Sequence, residues 1–411
     1  MFPSRRITLG GDVFRDEYSL AFDGSNDYIV TDFKPDYIHT NATFAMWVKM
    51  NDFTGSQTMG AHGNKRWYMG FSGTNGFLGV ADANNQGSPI TITPTPVAGQ
   101  WIHYAVTAHN GTATLYINGV AQGTMSYTQS SGSNPDAGFL MGARWNANND
   151  DVLNEMNCNI SEVVQYEGAF SATEIKALYN GREPYNHAEG IRPRSLKAWW
   201  RMGDGRRDGS AQITGDTDDS PQDNIISDEV DSSLGAELYT PANSMSTNEA
   251  DDQSTGLSVI SGATVADETS IVSGGSSRSL KYTSTGGTDG VTIDLTSDID
   301  LTVGSVYKVS VDARHIGSGG QHSIRLAEHS GAGTTGETLE IVDITSGMTT
   351  FVTYTAYFIH SDTTTRYFGA RETSGNDDGG LYLDNLSVRQ VNGNAGIMNN
   401  MDYSFEGDTP S

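Results

Sequence analysis

The sequence is short of three things: cysteine, positive charge and long apolar runs. Its single cysteine, Cys158, excludes an internal disulfide. Only 24 basic side chains face 50 acidic ones, which leaves a net charge of -26. A surface of that sign repels phosphate backbones and anionic membrane surfaces, so nucleic acid and lipid are poor partners. No apolar run approaches the roughly 18 residues of a membrane-spanning helix. The opening MFPSRRITLGGDVF has basic residues but neither the apolar core nor the cleavage motif of a secretory leader. The expectation is a chain made in a cytoplasm and not inserted in a membrane. GxSxG, HExxH, phosphate-loop and paired-cysteine motifs are missing as well.

What is present favours strands. The 48 glycines, with many Ser, Thr and Asn, replace the Lys and Glu of helical proteins, and charged residues reach only 18%. A length of 411 residues implies two or three domains. In TFAMWVK, Phe44, Met46 and Val48 share one face, with Ala45 and Trp47 on the other. WIHYAVT aligns Ile102, Tyr104 and Val106. TLYING aligns Leu115 and Ile117 before an Asn118-Gly119 turn. One segment has helical character: SATEIKALYNG, with a Ser171/Glu174 capping box, an Ile175, Leu178, Tyr179 stripe and Gly181 as C-cap.

From about residue 204 the chain turns acidic and apolar residues thin out. Alternation resumes in SLKYTS, VYKVSVDAR, FVTYTAYFI and LYLDNLSV. The fold class expected is all-β: two antiparallel β-sandwiches of jelly-roll type in tandem, with one short helix in the first. The terminal GIMNNMDYSFEGDTPS is expected to be a polar, extended tail.

The first half resembles the laminin-G-like, concanavalin A-like lectin/glucanase superfamily. The carriers are SLAFDGSNDYI (19–29), FAMWV (44–48), WIHYAVT (101–107), LYINGV (115–120), FLMG (139–142) and ISEVVQYEGAFSATEIKALYNG (160–181), in the family's order. That resemblance implies a two-sheet jelly roll. Ser161 stands where the family has an aspartate in G-x-I-D-E, which weakens a calcium site carried over by analogy. The second half resembles carbohydrate-binding modules of the family 4/9 type, through VYKVSVDAR, TTFVTYTAYF and GGLYLDNLSV. In such modules the last-strand aspartate, here Asp384, contributes to a structural calcium site. The pairing of these folds, with GIMNNM near the end, resembles virion proteins of marine tailed phages.

In laminin-G-like proteins a strand of L-x-x-Y/W-W type precedes the SLAFDG motif. Here its counterpart, LKAWWRMGDG, follows at 196–205. It is expected to return to the first sandwich as in a circular permutation, with Trp199 and Trp200 on opposite faces. The resulting boundaries are an arm at 1–15, a first sandwich at 16–235 with returning strand 196–203, a linker at 236–255, a second sandwich at 256–391 and a tail at 392–411.

Glucanases of this fold set carboxylates on alternate residues of one strand. The nearest patterns, LEIVDIT (Glu340, Asp343) and DEVD (Asp228–Asp231), lack a third carboxylate. His315, His322 and His329 recur across Gly-rich turns without a fixed common face. The four Asn-x-Ser/Thr sequons are expected as chance matches. Stacking on sugars needs an aromatic ring beside amides and carboxylates. Trp145, Asn146 and Asn148 in RWNANNDD are the first candidates; Trp67 in KRWYMGF with Asp82 and Asn84 in VADANNQG come second, Trp67 having a core role as its other reading. Asp150 and Asp151 are candidate calcium ligands, the alternative being a solvated acidic loop.

The function expected is that of a non-enzymatic phage virion surface protein, a capsid decoration or fibre component that binds glycans. The alternatives are an envelope polysaccharide depolymerase and a scaffold without glycan binding. Partners would be other virion proteins, cell-surface glycans and further copies of the chain, a trimer being compatible.

Overall fold

The computed structural model describes residues 14–410 except 15, 32, 35–39, 63–66, 81–88, 128–137, 146–151, 204–224, 227, 232, 240–256, 261, 275, 287–288, 296–298, 300, 303–304, 330–337, 361–364, 374–378, 400–404 and 407–408. The chain runs through β1 (Ser19–Asp23), β2 (Tyr28–Thr31), β3 (Asn41–Met50), β4 (Ser56–His62), β5 (Trp67–Ser72), β6 (Asn75–Val80), β7 (Trp101–His109), β8 (Thr112–Ile117), β9 (Val120–Ser126), β10 (Phe139–Met141), β11 (Arg144–Trp145), β12 (Val152–Leu153) and β13 (Asn157–Glu167) to the helix α1 (Ala172–Tyr179). It continues through β14 (Leu196–Trp200), β15 (Ile225–Ile226), β16 (Leu234–Glu237), β17 (Leu257–Ile260), β18 (Thr264–Glu268), β19 (Ser279–Ser284), β20 (Gly290–Asp294) and β21 (Val306–His315). The last strands are β22 (His322–His329), β23 (Thr338–Ile344), β24 (Val352–Ile359), β25 (Thr365–Glu372), β26 (Gly379–Val391), β27 (Gly396–Asn399) and β28 (Phe405–Glu406). The protein is all-β, with antiparallel sheets and one short helix. No helix among the described residues is long and apolar enough to cross a membrane.

The first sandwich packs a sheet ordered β28-β1-β13-β3-β7-β8-β9 against one ordered β15-β27-β2-β10-β4-β5-β6. Strand alternation supplies the core between them: Phe44, Met46 and Val48 from β3, Ile102, Tyr104 and Val106 from β7, Leu115 and Ile117 from β8. The opposite face of the first sheet is covered by α1, whose Ile175 and Leu178 join Ala45, Ala105, Val164 and Tyr166 in an outer cluster. The Ser171 capping box forms at the helix start. The C-cap is Asn180, in the left-handed region at φ 51°, and Gly181 follows with φ 72°, one residue beyond the expected cap.

Strand β14 pairs antiparallel with β13, setting Trp200 opposite Val163 and Trp199 opposite Val164. The two rings therefore part. Trp200 enters the core, stacked 5.7 Å from Phe139, while Trp199 joins the outer cluster beneath α1, 5.9 Å from Phe14. Strands β1 and β14 lie along the same side of β13, on its first and second halves.

The C-terminal segment does not hang free. Strand β27 inserts between β15 and β2, and β28 extends the other sheet beside β1. The driving force is local: Met398 is buried in the first core, and Ile397 packs with Val306, Tyr357 and Val391 where the sandwiches meet. Segment 236–255, expected to be a linker, begins inside a strand, because β16 pairs with β26. Glu237 fastens it there by accepting from the Val388 N–H at 2.7 Å and the Arg389 Nε at 3.0 Å. Residues 240–255 lie outside the described residues.

The second sandwich opposes a sheet ordered β18-β19-β26-β21-β24, with β16 beside β26, to one ordered β17-β20-β25-β22-β23. Leu280, Val309, Val311, Ile324, Leu326, Phe368, Leu381 and Leu383 fill the space between.

All six tryptophans lie at or before residue 200, so intrinsic tryptophan fluorescence reports the first sandwich alone. Urea unfolding followed by that signal should show Asn394→Ala losing about 1–3 kcal/mol, because the buried Asp228 carboxylate loses the Asn394 amide as a donor. Deletion of 392–411 should lose more, since it also removes two strands.

Candidate functional site

Beside the second sheet of the first sandwich, β11 and β12 form a small hairpin that packs against β4. Arg144 pins it by donating from Nε to the Asn154 Oδ1 at 2.9 Å, and the Asn154 amide donates to the Ser56 carbonyl at 2.8 Å. Trp145 is half-buried at the loop end of the hairpin, opposite Val152. Its indole Nε1–H is shut away from solvent and meets no acceptor among the described residues. Buried N–H groups almost always find a partner, so an orphan of this kind marks the place of a missing acceptor. Nearby on β5 and β6, Tyr68 and Phe77 stand outside the core cluster, their rings 5.6 Å apart. Burial raises the Tyr68 phenol above its ordinary pKa, and the Arg144 charge opposes that shift. The Arg144 charge thus lies near the Tyr68 ring, with Trp145 next to Arg144 along the strand.

Sequence reasoning selects Trp145 here and passes over Tyr68, Phe77 and Arg144. The signal was the alternation in WYMGFS: Met69 and Phe71 face the core, so Tyr68 has to face out. Trp67 stands in register with His62 and Val80. Asn146, Asn148, Asp150, Asp151, Asp82 and Asn84 lie outside the described residues.

Asp384, the calcium candidate of the second sandwich, is fully buried in β26 opposite Asp312. Its oxygens accept the Ser273 and Asn385 N–H groups, each at 2.8 Å. Asp312 accepts from the Ser273 and Thr353 hydroxyls and from the Asn385 amide. Burial raises the Asp384 carboxyl above its usual range. Calcium needs six to eight converging oxygen lone pairs. Here N–H and O–H donors are aimed at the carboxylates, and among the described residues no three His, Cys, Asp or Glu side chains converge for a metal. The residues around Asp384 do not fit a calcium ion; they tie the loop before β19 to β21 and β26.

The carboxylates considered for catalysis are engaged too. Asp228 is buried and accepts from the Trp199, Val230 and Asn394 N–H groups and from the Asn394 amide. Asp231 caps its own turn through Ser233. Asp343 accepts from Gln321, and its other oxygen is buried without a partner. Two of the recurring histidines do meet: the Gly-rich turn folds His315 and His322 to 5.4 Å, both buried.

A further buried carboxylate, Glu162, sits where β13 bulges, with φ 52°. It accepts from the Trp199 indole N–H and, at 3.1 Å, from the Arg201 Nε. Burial outweighs those donors and pushes its pKa up to about 7. The neighbouring Ser161 hydroxyl donates to Asp16, so a carboxylate from just ahead of β1 stands beside the position where the family has its own.

Residues 23–176 match the Laminin_G_3 family, the concanavalin A-like lectin/glucanases superfamily. Among solved structures, the chain is similar to a candidate carbohydrate binding protein from Bacteroides ovatus, at 16% identity and a TM-score of 0.37, over 52% of this chain and 56% of that one. The chain therefore spans little more than half of that protein's length. It is also similar to a heptameric SAP-like pentraxin from Limulus polyphemus, at 15% identity and a TM-score of 0.36, over 44% of this chain and 87% of that one. A third is the CBM22-1 xylan-binding domain from Paenibacillus barcinonensis, at 14% identity and a TM-score of 0.29, over 39% of this chain and 96% of that one. No curated protein matches the chain.

The buried titratable groups set a pH dependence. Burial lowers His103 and His187 to about 3 and His322 to about 4, so the stability they contribute is lost as pH falls below 6.5. Burial raises Glu162 to about 7 and Asp228 to about 6; their contribution runs the other way and is lost as pH rises from about 4 toward 7. Near pH 5 the three histidines outnumber the two acids by about one proton. Stability should therefore climb by roughly 1–2 kcal/mol per pH unit. Glu162→Gln removes one opposing acid and should steepen that climb between pH 5 and 6.5, measured as unfolding free energy against pH.

Proposed function

We propose that this protein binds glycans through the rim at Trp145 and does not cleave them. The observation that supports the site most directly is that the Trp145 ring stands outside the core, half-buried where its hairpin meets the polar loop. A sugar offers an apolar ring face to stack on the indole and hydroxyls for the polar side chains that follow it in the chain. Asn146 and Asn148, in the segment that follows Trp145, are proposed to hold further hydroxyls, with Trp67 of β5 and with Asp82 and Asn84, which come after β6 in the sequence. The binding reading over the cleaving one draws on Asp228 and Asp231, whose oxygens are taken up by structural donors.

The setting we propose is the surface of a tailed-phage particle, as capsid decoration or fibre component, in several copies and in contact with other virion proteins. The strongly acidic surface, the tandem sandwiches and the resemblance of their pairing to virion proteins support this. Calcium at Asp150 and Asp151 belongs to the same proposal.

On an array of host-envelope glycans, Trp145→Ala should weaken binding at least about tenfold, or roughly 1.4 kcal/mol, with the unfolding midpoint nearly unchanged. Loss of binding in EDTA, restored by calcium but not magnesium, checks the ion. New reducing ends released from the same glycans would replace the binding reading with a depolymerase, and a silent array would leave only a scaffold.

A further inference from the structure

The opposite face of the first sandwich carries a second cleft, of about 500 Å³, within the size range of ligand pockets. Its floor is the outer side of the first sheet, at Asn41 of β3 and Thr107 and His109 of β7. One wall is the turn leading into α1, with Phe170, and another is Arg192. We propose that this cleft is a second saccharide site, for one neutral sugar unit; the inference rests on the glycan-binding reading of the Trp145 rim.

Three polar groups carry it. Thr107 is only 6% exposed, lines the cleft, and its hydroxyl has no hydrogen-bond partner among the described residues. A hydroxyl on a cleft floor that no protein group engages is open to solvent or to a ligand there. His109 Nε2 lies 2.8 Å from the Asn110 amide nitrogen, which can only donate. With Nε2 engaged by that amide, Nδ1 is the ring nitrogen left for a hydroxyl. Asn41 spends its Oδ1 on the Ala169 N–H at 2.7 Å, which leaves its amide N–H groups for the cleft.

Charge selects the sugar. The Arg192 guanidinium lies 4.8 Å over the Phe170 ring and is held by both oxygens of Glu174, at 2.7 and 3.0 Å. Its charge is neutralised and its plane is fixed, so it forms a rigid wall and not an anion trap. The net charge of -26 repels acidic polysaccharide. Neutral hexoses and pentoses fit both conditions.

The test is NMR titration of the full chain with methyl glycosides of glucose, galactose, mannose, xylose and arabinose, and with glucuronic acid. The signals followed are the His109 imidazole, the Thr107 methyl and the Trp145 indole N–H. A neutral glycoside should shift the first two. The double variant Thr107→Val, His109→Ala should weaken that binding at least tenfold, whereas Trp145→Ala should leave it unchanged. Shifts at Trp145 with none at His109 or Thr107 would overturn the cleft and leave the rim standing. No shift at any of the three would overturn both. Tighter binding of glucuronic acid than of every neutral glycoside would overturn the assignment to neutral sugars.

Discussion

A single buried carboxylate ties the chain together. Asp228 takes donors from Trp199 on the returning strand, from Val230 on its own turn and from Asn394 on the C-terminal segment. Those three segments span nearly half the sequence. Asn394 also accepts the Trp200 indole N–H at 2.7 Å, so the ring that plugs the first core is locked by the same residue. A carboxylate buried this deeply is tolerated only while its donors stay in place. The first sandwich is therefore complete only when chain from beyond the second sandwich has come back to it.

That closure explains how two domains of modest core are coupled. Strand β27 contributes Met398 to one core and Ile397 to the patch between sandwiches, so one short strand serves both. Strand β16 runs the opposite errand, joining the second sandwich just after the chain leaves the first. The crossing of these two segments leaves no simple tether between the domains.

The candidate sites lie on the two outward faces of the first sandwich, and the division follows from packing. Residues that alternate into the space between sheets are used up as core. What remains outside on one sheet is partly sealed by α1 and the Trp199 cluster, leaving the cleft at Thr107 along the margin of that cover. On the other sheet the β11–β12 hairpin leaves the Trp145 rim. Glu162, forced into a left-handed backbone conformation by the bulge, shows how tightly the covered face is constrained.

Period-two alternation by itself determined the fold class, the inward residues of β3, β7 and β8, and the parting of Trp199 and Trp200, because a strand's side chains must point to opposite faces. The capping box likewise located α1, since its hydrogen bonds are local. Trp145 was legible as an aromatic beside a polar loop. Only the tertiary structure decided that its N–H lacks an acceptor among the described residues, that Arg144 lies near Tyr68, that the last strands belong to the first sandwich, and that Thr107, His109 and Arg192 line a cleft. Each of these depends on contacts between residues distant in sequence. Such contacts are set by which faces remain unburied once both cores have formed, and no local pattern encodes that remainder.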